Sequence, residues 1–184
     1  MFMHAARVGR GYFHGLLPPI DPMSDLVKIP SSVLTIRFQD CDPFNHLNNG
    51  RYVDYFLNAR EDHLLEHYAL DIYHIARETG QSWVVSTNQL AYLRPAFLME
   101  KVVIETQLIR FSKKHVEVEM RMWDEVKTTL KSFCWMAFVH FDLGTNKVHE
   151  HSAEYLALFE KVTAPVEETT FEARLKTLSA QRGD

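Results

Sequence analysis

The stretch Arg37–Arg60, RFQDCDPFNHLNNGRYVDYFLNAR, changes character once: polar, turn-forming residues up to Asn49 give way to Tyr52, Val53, Tyr55, Phe56, Leu57 and Ala59. A helix that is apolar nearly all round must be surrounded by protein. Asn48 and Asn49 are good N-cap residues, so this helix is expected to begin near Gly50, with a polar face of Glu61, Asp62 and Glu66 only beyond Arg60. Upstream, Val33–Gln39 alternates, with Leu34, Ile36 and Phe38 on one face, the pattern of a half-buried strand.

Downstream, a short helical pattern through Leu70, Ile72, Tyr73, Ile75 and Ala76 stops at Gly80, placed to cap its C-terminus. The period then becomes two. Ser82–Leu93, Lys101–Phe111 and Lys114–Asp124 are expected strands, and FSKKH between the last two is short enough for a hairpin. Leu130–Phe141 is apolar on both faces, as the sheet's central strand would be. Asp142, Gly144 and Asn146 make a turn, and Ser152 suits the cap of a last amphipathic helix through Phe159. The order gives an α+β layout, one helix against a curved antiparallel sheet of about five strands. The second sheet face also reads apolar, too much so for a monomer to leave wet, so a homodimer with a continuous sheet or packed sheets is expected.

With 184 residues, one domain is the expectation: an extension over 1–30, a folded domain over 31–163 and a polar tail, partly helical or mobile, over 164–184. The prolines of GLLPPIDPM make Met1–Pro22 a disordered extension or a start misassigned upstream of Met23. A formal net charge of -4 gives no broad positive field, so nucleic acid is not an expected partner. No run is long and apolar enough for a membrane span, and two cysteines make no disulfide scaffold. A cytoplasmic setting fits. Asp40, Cys41, Asp42 and His46 match no zinc spacing, nor does His149-Glu150-His151, so no metal is expected.

The strand, Asp-Cys-Asp-Pro run, short loop, helix entered at Asn-Asn-Gly-Arg-Tyr and four long strands together resemble the hotdog-fold acyl-CoA thioesterases of the 4-hydroxybenzoyl-CoA thioesterase type. The resemblance covers about Val33–Val162 and is carried by Arg37, Asp40, Asp42, His46, Asn48, Asn49, Tyr52, Tyr55, Ala59 and Arg60. YLRPAFLMEKVVIET is similar to the family's Tyr-x-x-Pro strand end, with Glu100-Lys101 where Gly-Asp is usual and Asn45 where the loop usually has Gly. The resemblance implies a hotdog fold, with the sheet wrapped around a central buried helix. It also implies hydrolysis of an acyl-CoA thioester without a cofactor, by a homodimer or dimer of dimers whose sites lie between subunits. Asp42 then corresponds to the catalytic nucleophile or general base and the Asn49 N–H to the oxyanion donor, with His46 secondary. A helix N-terminus offers unpaired N–H groups to an oxyanion independently of the resemblance.

Each residue also has a plainer reading. Asp before Pro favours turns, Asn48 is a structural cap, and Asp40 is a hydrogen-bonding acid with Arg37 as its candidate partner. Tyr52, Arg94, Lys113 and Lys114 are the candidates for contacting substrate, the three basic residues through the coenzyme's phosphates. The rival functions are a non-catalytic acyl-CoA-binding hotdog protein and an acyl-carrier-protein thioesterase.

Overall fold

The structure is a computed structural model and describes residues 26–180; the predicted extension over Met1–Pro22 lies outside the described residues. The strands are β1 (Ser31–Thr35), β2 (Gln81–Tyr92), β3 (Lys101–Phe111), β4 (His115–Asp124), β5 (Leu130–Asp142) and β6 (Lys147–Val148), and the helices α1 (Arg51–Tyr68), α2 (Ile72–Thr79), α3 (Ala153–Val162) and α4 (Phe171–Ala180). The sheet is antiparallel throughout, in the order β1-β3-β4-β5-β2 with β6 on β5. β4 is therefore the middle strand. β5, expected at the centre from its apolar faces, lies one place toward the β2 edge.

α1 packs into the concave face of this sheet as the hotdog fold requires. Tyr52, Phe56, Ala59, Arg60 and His63 form its buried stripe against Ile104, Met120, Met122, Cys134 and Met136. Arg51, Asp54, Asn58 and Asp62 form an exposed stripe at helical spacing, so the helix is enclosed on one side and open along the other. The sheet curls where an extra residue shifts the register, at Ser86 in β2, Ile109 in β3 and Lys131 in β5. An extra residue bends its strand and increases the twist. Leu108 joins the inner core and the next residue, Ile109, an outer one on the opposite face.

The ends of the elements follow local chemistry. The α1 C-terminus has Ala69 in the left-handed region at φ 51°, Gly80 ends α2 at φ 70°, and the Ser152 hydroxyl caps α3 by accepting from the Tyr155 amide. β1 starts two residues before the expected strand and stops at Thr35, because Phe38–Asp40 close into a 3-10 turn. Phe38 consequently leaves the core and is 79% exposed.

The apolar outer face, expected to be covered by a second copy, is covered by α4. Phe171 stacks on Phe133 with ring centroids 4.6 Å apart, and Leu178 joins Ile109, Leu130 and Trp135. Glu119, with no solvent exposure, accepts from Arg174 Nε and Nη2 at 2.9 Å each and from Trp135 Nε1 at 2.8 Å. A bidentate guanidinium is what makes a buried carboxylate tolerable here. Arg174→Met is expected to cost about 3 kcal/mol by leaving that carboxylate under-compensated, read as a lower urea midpoint at unchanged slope.

Three histidines are buried in the neutral form. The Trp83 indole donates to His151 Nε2 at 3.0 Å while His151 Nδ1 donates to the Ser112 carbonyl, and His140 stacks 4.8 Å from Trp83 and 4.9 Å from His151. Burial, reinforced by the neighbouring His151, pulls His140 from 6.5 to about 4, and burial with the Arg60 charge does the same to His63. The unfolded chain takes up protons that the fold refuses, so this stability is complete above pH 6.5 and drains as pH falls toward about 4. The thermal midpoint is expected to decline already between pH 6.5 and 5, before carboxylates titrate; a flat profile there contradicts it.

Candidate active site

The Asp42 loop is held from both ends. Cys41 and Leu47 form an antiparallel bridge, Asp42 N–H donates to the His46 carbonyl at 2.8 Å, and Leu47 N–H donates to Ala96 O at 2.8 Å. Asn48 N–H donates to Asp40 O at 2.9 Å, and Leu98 N–H to Asn45 O at 2.9 Å, fastening the loop to the β2–β3 connection. Asn45 takes φ 62°, so the left-handed turn survives with Asn in place of Gly.

Within that loop the two oxygens of Asp42 are not equivalent. Oδ1 accepts from the Phe44 amide at 2.9 Å and from the His46 amide at 3.0 Å. Oδ2 accepts no hydrogen bond from the described residues. The turn reading and the reactive reading of Asp42 therefore describe different oxygens of one carboxylate. Burial, then the charges of Asp40 and Asp42, push the Cys41 thiol up, so it stays a thiol; its Sγ donates to the Arg37 carbonyl.

Gly50, not Asn48, holds the N-cap position of α1, without a side-chain cap; Asn48 supports the entry from two residues upstream, its side-chain oxygen accepting from Gly50 N–H at 3.0 Å and its carbonyl from Arg51 N–H at 2.8 Å. The Asn49 N–H has no acceptor among the described residues, whereas its carbonyl accepts from Tyr92 OH at 2.8 Å. A fixed peptide with a free N–H at a helix entry is suited to a developing oxyanion.

The chain belongs to the thioesterase-like superfamily, whose sequence profile matches residues 36–168. This membership makes it a thioester hydrolase by class, and the curled sheet around α1 is the hotdog fold. Among solved structures it is similar to a probable thioesterase, YbaW, from Escherichia coli, at 24% identity and TM-score 0.62 over 73% of this chain and 98% of that one. It is also similar to Slr0204, a 1,4-dihydroxy-2-naphthoyl-CoA thioesterase from Synechocystis, at 10% identity and TM-score 0.65 over 73% and 95%. A third, SAV2348 from Staphylococcus aureus in complex with CoA, aligns at 13% identity and TM-score 0.68 over 79% and 92%. No curated protein matches the chain at the sequence level.

The other candidate residues of this thioesterase are distributed unequally. His46 contributes its backbone amide to Asp42, while its ring packs edge-on to Phe97 at 5.1 Å. Tyr52 is 2% exposed, with its hydroxyl accepting from Ala96 N–H and its ring against Tyr92, so it ties the helix entry to the β2–β3 connection from inside the core. Arg94 is exposed just beyond β2, at the Asp42 end of the sheet. Lys113 and Lys114 sit in the β3–β4 hairpin at the other end, with ten-residue β4 between, roughly 30 Å away. One chain does not bring the three basic residues together.

Asp40 pairs with groups other than the expected Arg37. Its Oδ2 accepts from Tyr55 OH at 3.0 Å and its Oδ1 lies 3.7 Å from Arg51 Nε. Tyr55 also accepts from the Arg37 amide, and burial holds its hydroxyl in the protonated, donating form. Tyr55 and Tyr92 are the supports that sequence reading leaves unassigned, because their partners lie 15 and 43 residues away.

Asp42→Asn keeps an oxygen for both loop amides and is expected to stay within about 0.5 kcal/mol of wild type. Asp42→Ala removes it and is expected to lose about 1 kcal/mol. Paired denaturant titrations of the two variants test this division of roles.

Proposed function

We propose that the protein hydrolyses an acyl-CoA thioester to a free acid and coenzyme A, with Asp42 Oδ2 as the reacting group. The observation that carries this reading is the unequal carboxylate, one oxygen fixed by the loop and the other without a partner among the described residues, upstream of a helix entry whose Asn49 N–H has no acceptor among them either. The thioester carbonyl oxygen accepts from Asn49 N–H. Asp42 either attacks the carbonyl carbon, giving a mixed anhydride and a thiolate, or takes a proton from the water that attacks it. In the first course water then opens the anhydride and regenerates the carboxylate. The thiolate leaves as an anion, so no strong general acid is needed, and neither course draws on a metal or organic cofactor. The CoA bound to SAV2348 supports the coenzyme as the leaving half.

A homodimer joined through β2 completes the site. β2 is one of the two edge strands of the sheet, and Val85, Ser86, Thr87, Asn88 and Gln89 are exposed along it. Antiparallel pairing of two such edges reverses one sheet against the other. It thereby brings Lys113 of the partner subunit and Lys114 of the partner subunit toward the end that holds Asp42 and Arg94, where they would meet the coenzyme's phosphates.

Thiol release from short, medium, long and aromatic acyl-CoA substrates is the test. Asp42→Asn and Asp42→Ala are each expected to lose about a hundredfold or more in kcat/KM, the first with its stability intact. Wild-type rates in Asp42→Asn would remove Asp42 from the mechanism.

A further inference from the structure

Behind the helix entry, α1, α2, α3, β2 and the inner sheet enclose a second space, a cavity of about 190 Å³ lined mostly by apolar side chains such as Leu57, Leu64, Val118 and Phe138. Arg60 and Glu61 supply its charged lining. Arg60 is 9% exposed and lies ten residues beyond Gly50, roughly 15 Å along the helix axis. Its Nη1 donates to Thr106 Oγ1 at 3.4 Å, and the Tyr68 hydroxyl is its other neighbour. Both are neutral oxygens. No carboxylate among the described residues lies within ion-pairing distance of the guanidinium. Glu61 is engaged by Tyr73 OH, which donates to it at 2.7 Å. His63, held neutral by burial, adds no negative charge.

A guanidinium does not lose its proton in a protein, so burial without a counter-charge is costly and favours an anion placed beside it. The apolar lining selects a hydrocarbon body. A cavity of about 150 Å³ is enough for a benzene ring, so this one takes a body of that size with a small polar group attached. We propose that the cavity binds a carboxylate carried on a short aliphatic or aromatic body, with Arg60 as the group that recognises the anion. Two sources present this chemistry: a free carboxylic acid, including a product of hydrolysis, and the far end of an acyl group that bears a second carboxylate. The first stands without the thioesterase mechanism proposed above; the second rests on it.

Calorimetry on the full chain with hexanoate and benzoate, against hexanamide and benzamide, decides the proposal. The acids are expected to bind tenfold or more tightly than the amides, the advantage falling in Arg60→Lys and vanishing in Arg60→Met. Leu64→Trp, which fills the cavity, is expected to abolish binding of acid and amide alike. Equal binding of acids and amides by wild type overturns the proposal whether or not the variants fold. So does no measurable acid binding, or acid binding unchanged by Leu64→Trp. Thiol release from ω-carboxyacyl-CoA against alkyl-acyl-CoA of equal length then separates the sources. A tenfold preference lost in Arg60→Met assigns the acyl end, and no preference alongside acid binding assigns the free acid. Acid binding without thiol release from any acyl-CoA leaves this site standing and removes the proposed function instead.

Discussion

The buried stripe of α1 is the constraint on which the rest of the fold depends. Phe56, Ala59 and His63 have no solvent exposure, so the sheet has to close around them, and a flat sheet offers a helix only a tangent contact. Bulges in three strands supply the curl. Once the helix is seated, its N-terminus is fixed at one end of the curl, where the β2–β3 connection passes. Ala96 N–H donates to Tyr52 OH there and the Ala96 carbonyl accepts from Leu47 N–H, so helix entry and loop are referenced to the same residue. The chemistry of the site inherits its precision from packing several residues away.

Asp42 shows how little a site of this kind needs. A carboxylate free at both oxygens would rotate and would be solvated evenly. Here two loop amides engage Oδ1 and leave Oδ2 directed by that constraint. In the mechanism proposed above, the same hydrogen bonds that make Asp42 a turn residue orient it as the reactant. The oxyanion donor of that proposal is equally economical, because a peptide N–H at a helix entry requires no particular side chain at Asn49. Backbone geometry carries the part of the site that sequence variation would otherwise erode.

Much of this was legible in the residues before any coordinates. Asn48 next to an aromatic, apolar run announces a helix start, and alternation through Val102, Ile104, Thr106 and Leu108 gives a strand, Lys101–Phe111, whose limits the structure reproduces. Where the reading failed, a pattern was shared by two conformations. Leu34, Ile36 and Phe38 alternate as a strand would, yet the Asp40 amide bonds back to the Arg37 carbonyl and throws Phe38 outward. α4 carried a visible signal in Phe171, Leu175 and Leu178, spaced four and three apart. The polar residues around them hid it. Asp40 with Tyr55 and Asn49 with Tyr92 left no sequence signal, since nothing local marks partners brought together by the tertiary fold.

The cover that α4 provides also changes which surfaces remain for assembly. An outer sheet face left apolar would drive two sheets to stack face to face. With Phe171 stacked on Phe133 and Arg174 neutralising Glu119, that face is occupied from within the chain. The β2 edge is of another kind: Ser86, Thr87, Asn88 and Gln89 are polar, and what β2 offers a partner is its outward-facing backbone. Association through such an edge is directional, because ladder hydrogen bonds fix strand polarity where apolar stacking does not. That directionality suits the dimer proposed above: Arg94 and the Lys113–Lys114 hairpin lie at opposite ends of one sheet, and an antiparallel pairing of edges brings those ends together.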